Sequence, residues 1–155
     1  MVISVDFDGT CVTHEYPFIG KSIGAEVVLR EIENAGHKII LLTMRDSYKS
    51  VKRYNTDVLK DAVNWFKING IQLYGINDNP TQANWSKSRK VYADIYIDDQ
   101  FLGCPVSQNA EISSRPFVDW VEVARKLTLL EVISVDAYNR IHEKLHENYP
   151  TIYRQ

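Results

Sequence analysis

The chain has 155 residues, 45% of them hydrophobic and 25% charged, an ordinary globular composition on a length that suits one self-supporting core. Eighteen basic against 20 acidic side chains give a net charge of −2, which argues against a generic nucleic-acid or membrane-surface binder and leaves only a local basic patch open. Two cysteines are no disulfide framework, no apolar run approaches the ~18 residues of a membrane span, and no basic leader precedes the first apolar run, so a cytoplasmic protein without a membrane partner is expected.

The first apolar run, Val2-Ile3-Ser4-Val5, is rich in β-branched residues and reads as a buried strand. A helix is expected over Ile23 to Ala35, with Val28, Ile32 and Ala35 on one face and Gly36 as its stop. Lys38 to Leu42 is the second strand. Asp57 to Asn69 carries Val58, Ala62, Trp65 and Phe66 at helical spacing and closes at Gly70. Ile71 to Tyr74 and Ala93 to Ile97 are the third and fourth strands. Beyond an irregular stretch at 103–115, helices are expected from Pro116, a good first helical residue, to about Leu127, and after Ser134 with Ala137, Ile141 and Leu145 in a row. Strand–helix–strand–helix–strand is the pattern of an α/β fold with a parallel sheet. We expect a single domain over 1–155, with a core at about 1–127 and a helical extension at about 128–155.

Every strand is followed by polar residues. Asp6 and Asp8 follow the first, Thr43 and Arg45 the second, Asn77, Asp78 and Asn79 the third, Asp98 and Asp99 the fourth. Open parallel sheets bind ligands at the carboxyl ends of their strands, so these groups gather where a site belongs. Four carboxylates converging at one edge repel unless a cation joins them. With no Cys or His in the set, hard oxygen donors point to Mg²⁺, which binds substrate phosphates readily.

The stretch Val2 to Thr10, an apolar strand running into Asp6-Phe7-Asp8-Gly9-Thr10, resembles the first motif of the haloacid-dehalogenase (HAD) phosphohydrolase superfamily. The resemblance extends through Leu41-Leu42-Thr43 to Ile95-Tyr96-Ile97-Asp98-Asp99 and so covers residues 1 to about 100. It implies a Rossmann-like α/β/α fold of three layers and a Mg²⁺-dependent phosphatase acting through an aspartyl-phosphate on Asp6. Asp8 would serve as acid and base, and Thr43 would donate to a phosphate oxygen. The Asp6 carboxylate, the Asp8 backbone carbonyl and the pair Asp98 and Asp99 would form the metal site. Gly9, Thr10 and Arg45 are the candidate substrate contacts. The superfamily also uses a lysine near the phosphate; Lys87 and Lys90 both precede the fourth strand, and Arg89-Lys90-Val91-Tyr92-Ala93-Asp94 resembles small relatives with a lysine just ahead of an Ala-Asp strand, which favours Lys90. After the acidic pair, several short relatives carry Arg; this chain has Gln100.

Neither the interval from Asp6 to Thr43 nor that from Thr43 to Lys90 has room for a cap domain, so the site is expected to be open, bordered by a flap around His14 to Gly20 or closed by a second subunit of a homo-oligomer. Arg45, Lys49, Lys52, Arg53 and Lys60 outnumber Asp46 and Asp57 and would make a basic rim. An open, basic mouth suits a nucleotide, a sugar phosphate or the phosphorylated end of a polynucleotide; net charge gives no general nucleic-acid signal. The rival expectation is a module on the same fold that holds phosphate, metal or a partner without turnover. His142-Glu143-Lys144-Leu145-His146 matches H-E-x-x-H, a zinc-protease pattern, but few residues follow to supply a third ligand, and the segment reads as a solvated helix. Cys11 and Cys104 read as packing thiols.

Overall fold

The computed structural model describes residues 1–153, and of Lys49 and Ser50 only the backbone. Four short strands, β1 (Val2–Val5), β2 (Lys38–Leu41), β3 (Leu73–Ile76) and β4 (Ile95–Ile97), form one parallel sheet in the order β3-β2-β1-β4. Strand alternation divides the apolar residues between two faces. Ile3, Val5, Ile39, Leu41 and Ile97 join a core cluster that includes side chains from α1 (Ala25–Asn34), α3 (Val58–Ile68), α4 (Trp120–Leu129) and α5 (Val135–Asn148). Ser4, Ile40 and Tyr96 face the other way. There the 77–94 crossover covers the sheet, fastened by the Tyr96 hydroxyl, which donates to Val91 O at 2.6 Å and accepts from Ala93 N. This is a small Rossmann-like layered α/β fold, with one outer layer reduced to a crossover and a single 3₁₀ turn at Gln82–Asn84.

The helices form where sequence and capping agree. Asp57 accepts from Lys60 N and starts α3, and Ser134 accepts from Ala137 N and starts α5. Gly36, at φ 82°, ends α1 in the left-handed region that glycine adopts without strain. Three elements differ from expectation, the first being β3, which begins and ends two residues later than the expected Ile71 to Tyr74. Pro116 does not begin a helix: Phe117–Val118 forms β6, paired antiparallel with β5 (Val106–Ser107), and α4 begins only after Asp119, whose carboxylate accepts from Val121 N and Glu122 N. A further helix, α2 (Ser47–Tyr54), occupies the basic segment. Pro150–Tyr153 adds a final turn, α6.

The C-terminal helices belong to the same core cluster as the sheet. Ile141, Leu145 and Tyr153 are buried with it, the Tyr153 hydroxyl donates to Ile23 O at 2.6 Å, and Arg140 makes a two-pronged contact with Glu31 on α1. Among the described residues no helix is long and apolar enough to cross a membrane.

Candidate active site

The sheet register brings the predicted polar residues together. Asp6 N bonds Ile97 O, Leu42 N bonds Val5 O and Asn77 N bonds Leu41 O, so the chain leaves all four strands at one edge. Carboxylate oxygens of Asp6, Asp98 and Asp99 converge within 4.8 Å of one another, the one three-ligand group found among the described residues. Burial pushes the Asp6 carboxyl up to about 7; the neighbouring Asp98, Asp8 and Asp99 push the same way, against a backbone hydrogen bond from Phe7. A cation would relieve this crowding, and an all-oxygen, part-buried donor set fits Mg²⁺.

Asp6 and Asp8 open onto a cavity of about 300 Å³ that Thr43 also lines. Asp8 is held by Arg45: Nε donates to Oδ2 at 2.8 Å and Nη2 to Oδ1 at 2.7 Å. The other guanidinium hydrogens go to the carbonyls of Pro17, Phe18 and Val58. All five N–H donors of this buried side chain are thereby engaged. Arg45 therefore positions Asp8 and anchors the flap, and the expectation of a direct substrate contact is corrected on that ground. Thr43 is set by Asn77, whose Oδ1 accepts from Thr43 N at 2.7 Å; its hydroxyl accepts from Arg45 N and keeps its own hydrogen for an oxygen ligand.

Gly9 and Thr10 also turn out to be supports. Gly9, at φ 83°, donates to Val12 O and accepts from Val118 N, and a Cβ there would lie 2.0 Å from His14 Nε2. Thr10 is fully buried; its hydroxyl accepts from Asp99 N and faces Asp99 Oδ1. Their backbone and hydroxyl groups are taken up in building the loop, so neither is left to hold substrate. His14 Nε2 lies 3.1 Å from Asp99 Oδ2, adding a second grip on that carboxylate. Asp98 accepts from Gln100 N, and Gln100 borders the cavity.

Lys90 is not brought to the site. It is exposed, with Nζ 5.6 Å from the Tyr96 ring centre, and it is not among the residues lining the cavity. The chain just after it enters β4 from the amino edge, where Asp94 pairs with Val2 through both backbone and side chain. Lys87 is likewise exposed and away from the lining. Among the described residues, the guanidinium that lines the cavity besides Arg45 is Arg115. It comes from the hairpin preceding α4, which is tied to the aspartate loop by Val118 N to Gly9 O at 2.8 Å and Trp120 Nε1 to Thr10 O at 2.7 Å. Arg115 carried no motif in sequence. His14 and Arg115 are the site residues that sequence reasoning missed.

The mouth is open and partly apolar. Met44 is 96% exposed beside Thr43, and Phe18 is exposed on the flap. Tyr16 borders the cavity and meets Tyr54 of α2 edge-on at 5.6 Å, while Arg53 stacks over Tyr54. Lys52 and Arg53 are exposed on α2; the side chain of Lys49 lies outside the described residues. Cys11 is buried with its thiol donating to Asp6 O, and burial pushes both it and Cys104 above the ordinary thiol range, as suits packing groups.

No protein-family model matches the chain, and no curated protein matches it. A solved structure described as the conserved protein coded by a locus from Bacteroides thetaiotaomicron is similar, with a TM-score of 0.62 and 28% identity over 88% of this chain and 95% of that one. That likeness supports the α/β fold.

Proposed function

We propose that the protein is a Mg²⁺-dependent phosphatase of the HAD type that hydrolyses a phosphate monoester through an aspartyl-phosphate on Asp6. The observation that carries this reading is the convergence of Asp6, Asp98 and Asp99 oxygens beside a separately held Asp8, all at the carboxyl end of a parallel sheet. Asp6, Asp98 and Asp99, with the Asp8 backbone carbonyl, would hold the ion, which would supply positive charge to offset that of the carboxylates and of a bound phosphate.

In the first step an Asp6 carboxylate oxygen attacks phosphorus and the bond to the leaving oxygen breaks. The leaving oxygen takes the proton of the Asp8 carboxyl, carried at an oxygen lone pair that the Arg45 fork leaves unused. In the second step Asp8, now a carboxylate, takes a proton from water as that water attacks phosphorus. Phosphate and free Asp6 are restored, and Asp8 again carries its proton. Thr43 donates to a phosphate oxygen. Arg115 offers an exposed positive charge at the cavity, which Arg45, with every donor engaged, does not. The substrate is a small phosphorylated molecule or the phosphorylated end of a larger one that an uncapped cavity admits. Two free thiols fit a reducing, cytoplasmic setting for this activity.

The test is hydrolysis of p-nitrophenyl phosphate and of a panel of phosphorylated metabolites and oligonucleotides. Turnover that needs Mg²⁺, stops with EDTA and is absent in Asp6→Asn is expected. Mg²⁺ binding without turnover on any substrate would replace the enzyme with a binding module.

A further inference from the structure

The His142–His146 pair lies outside the catalytic reading and stands on its own geometry. One turn apart on α5, the two side chains share the helix face that borders a second cleft, of about 540 Å³, with Tyr138, Asp119 and Glu122. Their Nε2 atoms lie 3.0 Å apart and their ring centres 4.1 Å apart. At metal–nitrogen distances of about 2.0–2.1 Å, two imidazole ligands stand about 2.9 Å apart at a right angle and about 3.3 Å apart in a tetrahedron. The observed separation falls between these values. In the metal-free pair a single hydrogen joins the two nitrogens, one imidazole donating and the other accepting. A cation in its place would meet two nitrogens already held at a chelating separation.

We propose that His142 and His146 form a two-nitrogen site for a borderline transition-metal dication of the Zn²⁺ or Ni²⁺ class. Imidazole nitrogen selects these ions over Mg²⁺, so the site is chemically orthogonal to the carboxylate cluster. On binding, the Nε2 hydrogen between the rings moves to Nδ1 of the same imidazole, leaving both Nε2 lone pairs on the ion. Asp119 and Glu122 add negative charge to the cleft, although Asp119 is engaged by Ser107 and the α4 backbone and Glu122 by Arg125. No third His, Cys, Asp or Glu atom joins the pair among the described residues. The remaining positions therefore belong to water or to a donor atom of a bound molecule. The other two histidines are occupied elsewhere: His14 on Asp99, and His37 on Val132 O and the N-terminal amine.

The experiment is calorimetric titration of Zn²⁺ into the full chain in excess Mg²⁺, which keeps the carboxylate cluster filled. One Zn²⁺ per chain is expected. His142→Ala and His146→Ala should each weaken it by about 100-fold, since even outer partners of metal ligands cost 10–100-fold. Asp98→Asn should leave Zn²⁺ uptake intact. Both histidines lie off the buried stripe of Ala137, Ile141 and Leu145, so the variants should melt like wild type without metal, and Zn²⁺ should raise the melting temperature of wild type alone. No uptake by wild type, unchanged uptake in the double alanine variant, or uptake lost in Asp98→Asn would each overturn the assignment. None of these results depends on phosphatase activity.

Discussion

The two ends of the sheet each hold aspartates, and they are in opposite states. At the amino end Asp94 accepts from Val2 N at 2.7 Å and from the Tyr92 hydroxyl at 2.8 Å, and these donors hold its carboxyl below the usual range. At the carboxyl end Asp6 is half-buried among three other carboxylates and is pushed up to about 7. Both positions follow from a parallel sheet with polar loops at its edges. What separates them is satisfaction: Asp94 fastens β1 to β4, whereas the Asp6 cluster is left short of positive charge. A carboxylate with its donors in place is architecture, and a crowded one calls for a ligand.

The strongest way to break that contrast is to neutralise one member of each end. Asp6→Asn should lower turnover by a factor on the order of 10³ or more, because it removes the attacking oxygen itself. Asp94→Asn should leave turnover unchanged and lower stability by about 1 kcal/mol, because Asn can still accept from Val2 N and only the charge of an exposed group is lost. Initial rates and denaturant melts on the two variants separate the effects. Equal loss of activity in both would erase the distinction between the two ends.

Arg45 is the next largest effect, since it is the one buried cation at the crowded end. Arg45→Ala strands Asp8 and three backbone carbonyls, and about 3–5 kcal/mol of stability should go with it. Arg45→Lys keeps the charge but loses the fork, so kcat should fall by roughly 10²-fold with KM little changed. Retained kcat in the lysine variant would show that Asp8 needs charge nearby and no particular orientation.

Much of this was legible in the chain, and the failures have physical reasons. β1 and the strand-end aspartates follow from a short apolar run meeting D-x-D-G-T, and α3 and α5 follow from period and cap. The start of α4 was not, because Pro116, Phe117 and Val118 suit a strand and a helix equally; only the pairing with Val106–Ser107 decides. The resemblance around Arg89 to Asp94 favours Lys90, but a local pattern does not say which end of a three-residue strand its neighbours occupy, and here the segment enters β4 at the amino edge. Arg115 and the role of Arg45 rest on contacts made across the fold, with Gly9, Asp8, Pro17 and Val58, which no spacing encodes.

Arg115→Ala should raise KM for a phosphate monoester by about tenfold, the value of one charge-assisted contact, while Lys90→Ala stays within error of wild type. The reverse order would return the phosphate cation to the segment before β4.

Proton linkage gives a smaller effect of defined sign. Folding raises the Asp6 pKa, so between 3.8 and about 7 the folded state holds more protons than the unfolded chain. Without metal, stability should therefore fall as pH rises through that window. Mg²⁺ replaces the proton, so it should raise the melting temperature more at about pH 8 than at about pH 5, where it must displace that proton. An equal shift at both values would place Mg²⁺ away from Asp6.

The smallest effect belongs to the rim. Lys52 and Arg53 stand exposed on α2, and Arg53 connects to the cavity wall through Tyr54 and Tyr16. They touch neither Asp6 nor Asp8, so Lys52→Glu with Arg53→Glu should spare kcat on p-nitrophenyl phosphate. On an anionic substrate larger than the cavity, lost long-range attraction should appear as a rise in KM of a few fold. The rise should shrink with added salt, because exposed charges are screened over about 8–10 Å at 0.1–0.15 M ionic strength. A KM insensitive to both the charge reversal and salt would leave the helix face merely solvated. Leaving-group selection would then fall to Tyr16 and Met44, whose exposed apolar surfaces border the same opening and would favour a planar or apolar leaving group over a charged one.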